Sequence, residues 1–445
     1  MSRRSHWIDA EAGERRAAKP LSDEDMRPGE GNTAGVQGRS KLTLRIMLAA
    51  LVFVAFAVLL AAAETAVRIR QWVKYGAAFG IEDTYTVDPV SGLRVPVPGT
   101  SFGPIHINSL GFRGPEIIVP KPASTLRVAF LGSSTTYCAE VSKIEASWPH
   151  LVTKALQDKW PGATVDYVNA GVPGFTVKST LRNLQLRVAP LQPDVIVIYE
   201  GHNDLSRNSF ELAVKEGLIS KRLEQELMWP SKYSLLWYLV EKNLRILQQQ
   251  RAANTGLKLR FDRETLVAPF RRDLIDLVRT GQQVADLVVV VTLSNRLRPD
   301  QTAEQQVRAS VTHLYFMPYM STDSLIEAYA AYNDQVRQVA EDSGALLVSE
   351  ENFILPDGDE FVDSIHFTDK GSSAMANRVI RALLTSDRLR QLISSKLSYR
   401  SIEPYNNLLS PSIEADWVAS IHQASIDRSI SKTPIPRGGS RLRTQ

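Results

Sequence analysis

Short apolar runs alternate with amphipathic segments between residues 127 and 384, and this alternation predicts strands and helices in turn. Runs rich in Val and Ile predict strands over 127–132, 163–168, 194–199, 286–293 and 345–348. Apolar residues at helical spacing predict helices over 147–158, 177–189, 266–284, 322–342 and 369–384. Strands this apolar are buried on both faces. The pattern therefore predicts an α/β fold, a three-layer α/β/α sandwich with a mostly parallel sheet.

Two details modify this alternation. Ser147 is the expected N-cap of the first helix, with Pro149 near its first turn. Residues 205–262 interrupt the rhythm and predict a helical insertion beside the site. Its aromatic residues either pack against the domain or contact substrate, and they are Trp229, Tyr233, Trp237 and Tyr238.

An unbroken apolar run extends from Ile46 to Ala63. This length is just sufficient to cross the hydrocarbon core of a bilayer, so we predict a transmembrane helix over 42–66. A cleavable signal peptide and a buried core helix are the alternatives. Four basic residues precede the run and three follow it within about 20 residues. This weak bias favours a single-pass membrane protein with its N-terminus in the cytoplasm and its C-terminal part outside.

The remaining segments complete the predicted domain organisation. Residues 1–41 are polar and predict a disordered tail. A lead-in segment over 75–120 precedes the main α/β domain, predicted over 121–390. Residues 391–445 form a C-terminal extension with a basic tail, which is typical of a solvated end or of contact with anionic lipid.

Composition excludes several classes of protein. The net charge of +4 is too balanced for a nucleic-acid-binding protein. The single cysteine, Cys138, excludes intramolecular disulfides and cysteine-rich zinc sites, and we expect it to be a buried apolar residue. The scattered histidines predict no metal cluster.

Polar residues suited to chemistry follow the ends of three predicted strands. Ser133 and Ser134 come after Gly132, where a serine in a tight turn before a helix can expose its hydroxyl. The next loop holds Gly171, whose backbone N–H could donate to an oxyanion, and the third holds Asn203, whose amide could do the same. Each segment alone is equally typical of a cap or a turn. Since ligands bind beyond the carboxyl ends of parallel strands, we expect the loops to form one site.

A fourth segment precedes the last predicted helix and contains Asp363 and His366. A carboxylate three positions before a histidine can contact it within one turn and fix the tautomer of the imidazole. The other ring nitrogen can then face a nucleophile. A lone pair of this kind is usually structural.

Taken in order, these segments resemble the four blocks of the SGNH (GDSL-type) hydrolase superfamily. The resemblance implies that Ser134 is the nucleophile, His366 the base and Asp363 its partner. It also implies that the backbone N–H groups of Ser134 and Gly171 and the amide of Asn203 form an oxyanion hole. The resemblance also implies a flavodoxin-like SGNH hydrolase fold.

The resemblance covers roughly residues 125–385 and departs from the family in its first block. The family's Gly-Asp-Ser is replaced by Gly132-Ser133-Ser134, which leaves open which serine acts. Upstream, the segment Asn108–Gly114 is similar to one in membrane-anchored bacterial members, whose anchors commonly end in a pattern like Glu64 and Arg68. This resemblance implies a location at the bacterial inner membrane.

The function implied is a membrane-anchored serine esterase that hydrolyses acetyl or acyl esters through an acyl-enzyme, without a metal or organic cofactor. Acylated polysaccharide and lipid are both candidate substrates. An O-acetyltransferase acting on an envelope polysaccharide, or an inactive polysaccharide-binding scaffold, is the alternative. The sequence does not indicate an oligomeric state.

Overall fold

The structure, a computed structural model, describes most of the chain, namely residues 33–75, 84–219, 228–356 and 358–406. The chain divides into two compact units, Met1–Ala63 and Glu64–Gln445. The first 32 residues of the predicted tail, part of the lead-in segment, part of the insertion and the basic C-terminal tail lie outside the described residues.

Helix α1 spans Thr33–Tyr75 and contains the apolar run. Its segment Leu42–Val73 is long and apolar enough to cross a membrane, and the side chains of the run are exposed. The helix is longer than predicted at both ends, and residues 33–41, predicted to be disordered, are helical. Once a helix is nucleated, each added residue gains a hydrogen bond, and no proline interrupts either extension.

Two small antiparallel hairpins follow in the lead-in segment, and the sequence pattern did not predict them. Strands β1 (Tyr85–Val87) and β2 (Arg94–Pro96) form the first hairpin. Strands β3 (Ser101–Phe102) and β4 (Ile105–His106) form the second. Strands of two or three residues are too short for an alternating pattern to be recognised.

A five-stranded parallel sheet forms the centre of the second unit. Its strands are β5 (Thr125–Gly132), β6 (Thr164–Asn169), β7 (Val195–Tyr199), β8 (Leu287–Val291) and β9 (Leu346–Val348). They lie in the order β6-β5-β7-β8-β9, and every neighbouring pair is parallel. All residues of β5, β7 and β8 are buried, as expected for strands covered on both faces. The predicted fold class and all five predicted strands are confirmed.

Helices cover both faces of this sheet. The chain order is α2 (Ser134–Tyr137), α3 (Trp148–Lys159), α4 (Val177–Asn183), α5 (His202–Lys215), α6 (Leu235–Arg251), α7 (Arg263–Val284), α8 (Ala303–Ala309), α9 (Val311–Phe316), α10 (Thr322–Ser343), α11 (Asp369–Thr385) and α12 (Asp387–Asn406). Helices α3, α11 and α12 pack together, and α4, α5, α7 and α10 pack together as a second group. This grouping gives the predicted three layers.

Some local features differ from the predictions. Ser147 occupies the N-cap position of α3, but its hydroxyl donates to the Ile144 carbonyl and does not cap the helix. Helix α12 crosses the predicted boundary at residue 390, because Leu389, Leu392 and Ile393 are buried in the main core. The rest of the predicted division into domains stays a prediction.

Candidate active site

The nucleophile turn lies where β5 ends and α2 begins. Gly132 closes the strand, and a Cβ there would lie 2.3 Å from both the Thr136 hydroxyl and the Tyr199 carbonyl, so only glycine fits. Ser134 is the first residue of α2, where backbone N–H groups have no partner within the helix. The turn therefore brings a hydroxyl and a free N–H to the carboxyl edge of the sheet.

Only one of the two adjacent serines faces the predicted base. The Ser134 hydroxyl lies 2.9 Å from His366 Nε2. Ser133 is 1% exposed and points into the interior. Of the two serines, Ser134 is therefore the one whose hydroxyl lies within hydrogen-bond distance of His366.

Asp363 holds His366 in a fixed orientation. Its Oδ2 lies 2.8 Å from His366 Nδ1, and its Oδ1 accepts from the backbone N–H groups of Ile365 and His366, both at 2.9 Å. The Val362 N–H donates to the His366 carbonyl at 2.8 Å and closes the loop. The three predicted side chains therefore form one hydrogen-bonded chain from carboxylate to hydroxyl.

The charges in this chain stabilise each other. Burial would raise the pKa of Asp363, but the hydrogen bond and charge of His366 and the two backbone N–H groups hold it well below its ordinary value. Burial would lower the pKa of His366, but Asp363, with Glu140 nearby, raises it above 6.5. The imidazolium form of His366 is thus stabilised, as a base that receives a proton requires.

Gly171 is the predicted site residue that does not reach this site. It is buried, and its N–H donates to Asn169 Oδ1 at 3.0 Å. A Cβ at Gly171 would lie 2.6 Å from the Tyr137 backbone nitrogen, so glycine is needed there for close packing behind α2. The prediction of Gly171 as an oxyanion donor is therefore wrong: its N–H already has a partner inside the protein.

Gly174, three residues further along, lies where Gly171 was expected. It is exposed, has a φ of +87°, and lines the same cavity as Ser134 and Asn203. The sequence contained a signal for it, since the loop holds two glycines. Only the packing of Asn169 distinguishes the buried glycine from the one at the surface.

Asn203, predicted in the loop after the third strand, lies in the first turn of α5 and lines the cavity. Its Nδ2 donates to the Phe175 carbonyl at 2.7 Å, which fixes the amide and leaves its second N–H for a ligand. Its neighbour Asp204 accepts from the Val177 N–H at 3.1 Å. These two bonds fasten the loop that carries Gly174 to the start of α5.

A cavity of about 440 Å³ opens over the triad. Much of its wall is apolar and comes from two regions that sequence reasoning missed. The lead-in segment contributes Phe102 and Ile105, and α9 with the residue after it contributes Phe316 and Met317. Nothing in their local sequence pattern marks these residues, because only the tertiary fold brings them beside Ser134.

Two further histidines line the cavity, and both are held uncharged. The Tyr329 hydroxyl lies 3.0 Å from His202 Nδ1 and 2.9 Å from His313 Nε2. Burial lowers the pKa of His202 to about 3 and that of His313 to about 4. Of the three histidines in the cavity, only His366 has a raised pKa and a carboxylate partner, so it is the one suited to act as a base.

The nucleophile turn is supported from behind by buried polar groups. Arg113, 1% exposed, donates to the carbonyls of Tyr137 and Cys138 and, at 3.1 Å, to that of Pro104. Asn169 Nδ2 donates to the Thr136 carbonyl at 2.9 Å. The carbonyl end of α2 is therefore held by side chains from outside it, and Arg113 gives the upstream motif Asn108–Gly114 a structural role.

Two expectations from composition can be compared with the described residues. Cys138 is buried, as predicted, and burial raises its pKa to about 12. Among the described residues no group of three or more His, Cys, Asp or Glu side chains is arranged to hold a metal ion.

The five-stranded parallel sheet covered by helices on both faces is the fold of the SGNH class of hydrolases. The chain belongs to the GDSL-like lipase/acylhydrolase family, whose model matches residues 130–374. This membership confirms the predicted superfamily, and the protein is a hydrolase that acts on ester bonds.

Several solved structures are similar to part of this chain. Acetylxylan esterase Axe2 from Geobacillus stearothermophilus is 16% identical over 59% of this chain and 96% of its own, with a TM-score of 0.37. The hydrolase LAE5 from the metagenome of Lake Arreo, Spain, is 18% identical over 58% of this chain and 94% of its own, with a TM-score of 0.32. No curated protein sequence matches the chain.

Proposed function

We propose that this protein is a membrane-anchored serine esterase that cleaves carboxylic esters through an acyl-enzyme on Ser134. The observation that carries the proposal is the connected chain from Asp363 through His366 to Ser134, with distances of 2.8 and 2.9 Å, at the mouth of an apolar cavity. Such a chain activates a hydroxyl that is otherwise a weak nucleophile.

The reaction follows from these positions. His366 Nε2 takes the proton of Ser134 as its oxygen attacks the ester carbonyl, and Asp363 stabilises the resulting imidazolium. The N–H groups of Ser134 and Gly174 and the amide of Asn203 are the proposed donors to the oxyanion. Each donor of this kind is worth about 10²–10³ in rate. His366 then protonates the leaving alcohol, and a water activated by His366 releases the acid.

The cavity wall supports an apolar acyl group as the preferred substrate. Phe102, Ile105, Phe316 and Met317 can bury methylene groups, each worth about 0.8 kcal/mol when fully removed from water. We therefore expect kcat/KM to rise from acetate to medium-chain esters. A sugar acetate would not show this increase, because its acyl group is a single methyl.

The anchor in this proposal is helix α1. Its apolar segment satisfies the length and composition required to cross a bilayer. The orientation, with the catalytic unit on the outer side of the membrane, rests on the weak excess of basic residues before the run and stays a prediction.

The direct test uses the full-length chain in detergent, as wild type and as Ser134→Ala. Both are incubated with p-nitrophenyl esters of increasing chain length and with a fluorophosphonate, and the label is located by mass spectrometry. We expect label and turnover on Ser134 and loss of both in Ser134→Ala, with Ser133→Ala as the matched control that keeps both.

Equal turnover by Ser134→Ala and wild type would refute the proposal. Addition of a sugar acceptor tests the transferase alternative, since an acyl-enzyme resolved by a sugar hydroxyl would yield an acylated sugar. No label on a folded Ser133→Ala or wild-type protein would favour the binding scaffold.

A further inference from the structure

The helices of the insertion carry an exposed surface of aromatic and aliphatic side chains, none of which takes part in the Asp363–His366–Ser134 chain. It consists of residues on the short helix Trp229–Lys232, on α6 and beside them, and we call it the aromatic face: Met228, Trp229, Tyr233, Trp237, Val240 and Leu244. Trp229 is 74% exposed and Tyr233 70% exposed. Four of these residues, Met228, Trp237, Val240 and Leu244, line one shallow groove. Exposed apolar surface of this kind often marks an interaction site.

The start of α6 is fastened to the end of α1. Glu64 accepts hydrogen bonds from the Ser234 hydroxyl at 2.8 Å and from the backbone N–H groups of Leu235 and Leu236 at 2.9 and 2.8 Å. A carboxylate at this position satisfies free N–H groups at the N-terminus of a helix and complements its dipole. Glu64 therefore acts as an N-terminal cap supplied by a different helix.

Arg68, one turn after Glu64, strengthens this attachment. It pairs with Glu64 and donates to the Tyr233 carbonyl at 2.9 Å. Residues 63, 64, 67, 68 and 71 are half-buried while residues 65, 66, 69 and 70 are exposed, which is the spacing of a single helix face. The final turns of α1 thus lie along the beginning of the aromatic face.

Chain continuity then places the aromatic face relative to a bilayer. Glu64 directly follows Ala63, the last residue of the apolar run. If the run spans the hydrocarbon core, the next residue lies at the level of the lipid headgroups. Tyr233 and Ser234, which contact Arg68 and Glu64, must then be within a few ångströms of that level.

The composition of the aromatic face fits this depth. Tryptophan and tyrosine are enriched at membrane–water interfaces, where the ring is apolar and its polar atom stays hydrated. Residues 228–251 also contain four basic residues and one acidic residue. Basic side chains beside an apolar surface favour anionic lipid headgroups.

We propose that the aromatic face inserts into the headgroup region of the membrane that anchors α1. The proposal rests on the membrane anchoring proposed above. This contact holds the catalytic unit against the lipid surface, whereas a flexible tether alone would leave the unit free to move away from it. Helix α6 packs against α9, and α9 contributes to the wall of the active-site cavity, so the lipid contact lies one helix away from the site.

The test measures the depth of a probe on the aromatic face. Trp229→Cys and, as a matched control, Ile118→Cys (67% exposed, in the segment before β5) are each labelled with the fluorophore NBD in the full-length chain. The buried Cys138 is poorly reactive and can remain. The proteins are reconstituted into nanodiscs of phosphatidylcholine and phosphatidylglycerol, with and without a lipid that carries a doxyl quencher near the headgroup.

We expect the doxyl lipid to quench the probe at position 229 at least threefold more than the probe at 118. Adding Glu64→Ala should reduce that difference by about half, because the cap of α6 is lost. Equal quenching at 229 and 118 would overturn the proposal. Energy transfer between chains labelled at 229, without doxyl quenching, would overturn it in favour of a second copy as the partner.

These outcomes are separable from failure of the proposed function. A chain that does not enter nanodiscs refutes the anchor and the lipid contact together. A chain that enters and shows no quenching at 229 refutes the lipid contact alone. Esterase activity of the same samples reports on Ser134 independently of both.

Discussion

The two ends of strand β5 are surrounded by very different charges. Near the amino end, Arg127 is fully buried and pairs with Asp166 at 2.6 Å. The Arg127 backbone N–H donates to Asp194 at 2.7 Å, and Asp194 pairs with Lys121 and Lys396, both at 2.8 Å. Each buried charge at this end is therefore matched by an opposite charge.

The carboxyl end, which carries Ser134, is not compensated in this way. Arg113 is surrounded by carbonyl groups, and in the described part of the chain it forms no salt bridge. Glu200 and Asp204 are buried near each other. Burial and the charge of Asp204 raise the pKa of Glu200 well above its usual range, and burial raises that of Asp204 to about 7.

The difference separates two uses of buried charge. At the amino end, the ion pairs connect β5 to the edge strand β6 and connect Asp194 to helix α12, and their role is to stabilise the fold. Uncompensated groups at the carboxyl end donate to or accept from the backbone of the loops around Ser134, and so they determine where the nucleophile lies. Proteins commonly depart from local compensation at functional sites.

The largest effect is expected at the carboxyl end, from Asp363→Asn. The Asn amide would keep its oxygen on the two backbone N–H groups and turn its NH₂ towards His366 Nδ1. This stabilises the tautomer with the proton on Nε2, which cannot accept a proton from Ser134. We expect kcat to fall by about 10⁴-fold, as for comparable triads.

The pH profile of the same variant gives a second measurement. In the wild type, His366 must be deprotonated, so activity should rise with pH through a midpoint above 6.5, because Asp363 raises the pKa of His366. Asp363→Asn should move the midpoint of its residual activity to lower pH. Asp359→Asn, an exposed carboxylate in the same segment, is the control, and a similar loss in that variant would contradict the assignment.

Much of this end of the molecule could be predicted from sequence. Ser134, Asn203, Asp363 and His366 were found because each follows a recognisable strand or precedes a recognisable helix, and parallel strands gather their carboxyl ends at one edge. The strands themselves were clear because they are apolar throughout. These signals are local or depend only on strand order.

The features that the sequence analysis did not predict depend on how deeply a residue is buried and on its tertiary contacts. Gly171 and Gly174 are equivalent in sequence, and only tertiary contacts distinguish them. The Asn169 side chain accepts from the Gly171 N–H, and the Tyr137 backbone packs against Gly171. The wall residue Phe316 lies on a six-residue helix with no distinctive pattern. Arg113 resembles any arginine after a turn until α2 is placed above it. No single-sequence pattern encodes such packing.

The two ends of β5 can be compared most directly through their buried arginines, Arg127 at the amino end and Arg113 at the carboxyl end. Arg113→Lys and Arg127→Lys each keep the charge but lose the planar fork that reaches several acceptors. Both should lower the free energy of unfolding by about 1–3 kcal/mol, since buried acceptors lose a donor. Only Arg113→Lys should also lower kcat, by about 10–100-fold with little change in KM, because Ser134 is displaced.

The measurement pairs thermal unfolding with steady-state kinetics and with the rate of fluorophosphonate labelling of Ser134. If Arg113 is only structural, the two variants will lose equal stability and neither will lose kcat. An equal fall in kcat for both variants would remove the distinction between the two ends of β5.

The smallest expected effect concerns Glu200, whose carboxylate accepts from the Thr180 hydroxyl at 2.9 Å and the Gly201 N–H at 3.2 Å. Because its pKa is raised in the folded protein, the native state keeps a proton that the unfolded state loses above about pH 4.5. The unfolded state then binds fewer protons, so stability falls as pH rises.

Glu200→Gln cannot ionise, and thermal unfolding between pH 5.5 and 9 should show a shallower loss of stability than in wild type. Asp204 still titrates near pH 7 and leaves a residual slope. Glu264→Gln, an exposed carboxylate, should keep the full wild-type slope. A Glu200→Gln slope equal to that of wild type would mean that burial does not raise the pKa of Glu200 in the folded protein.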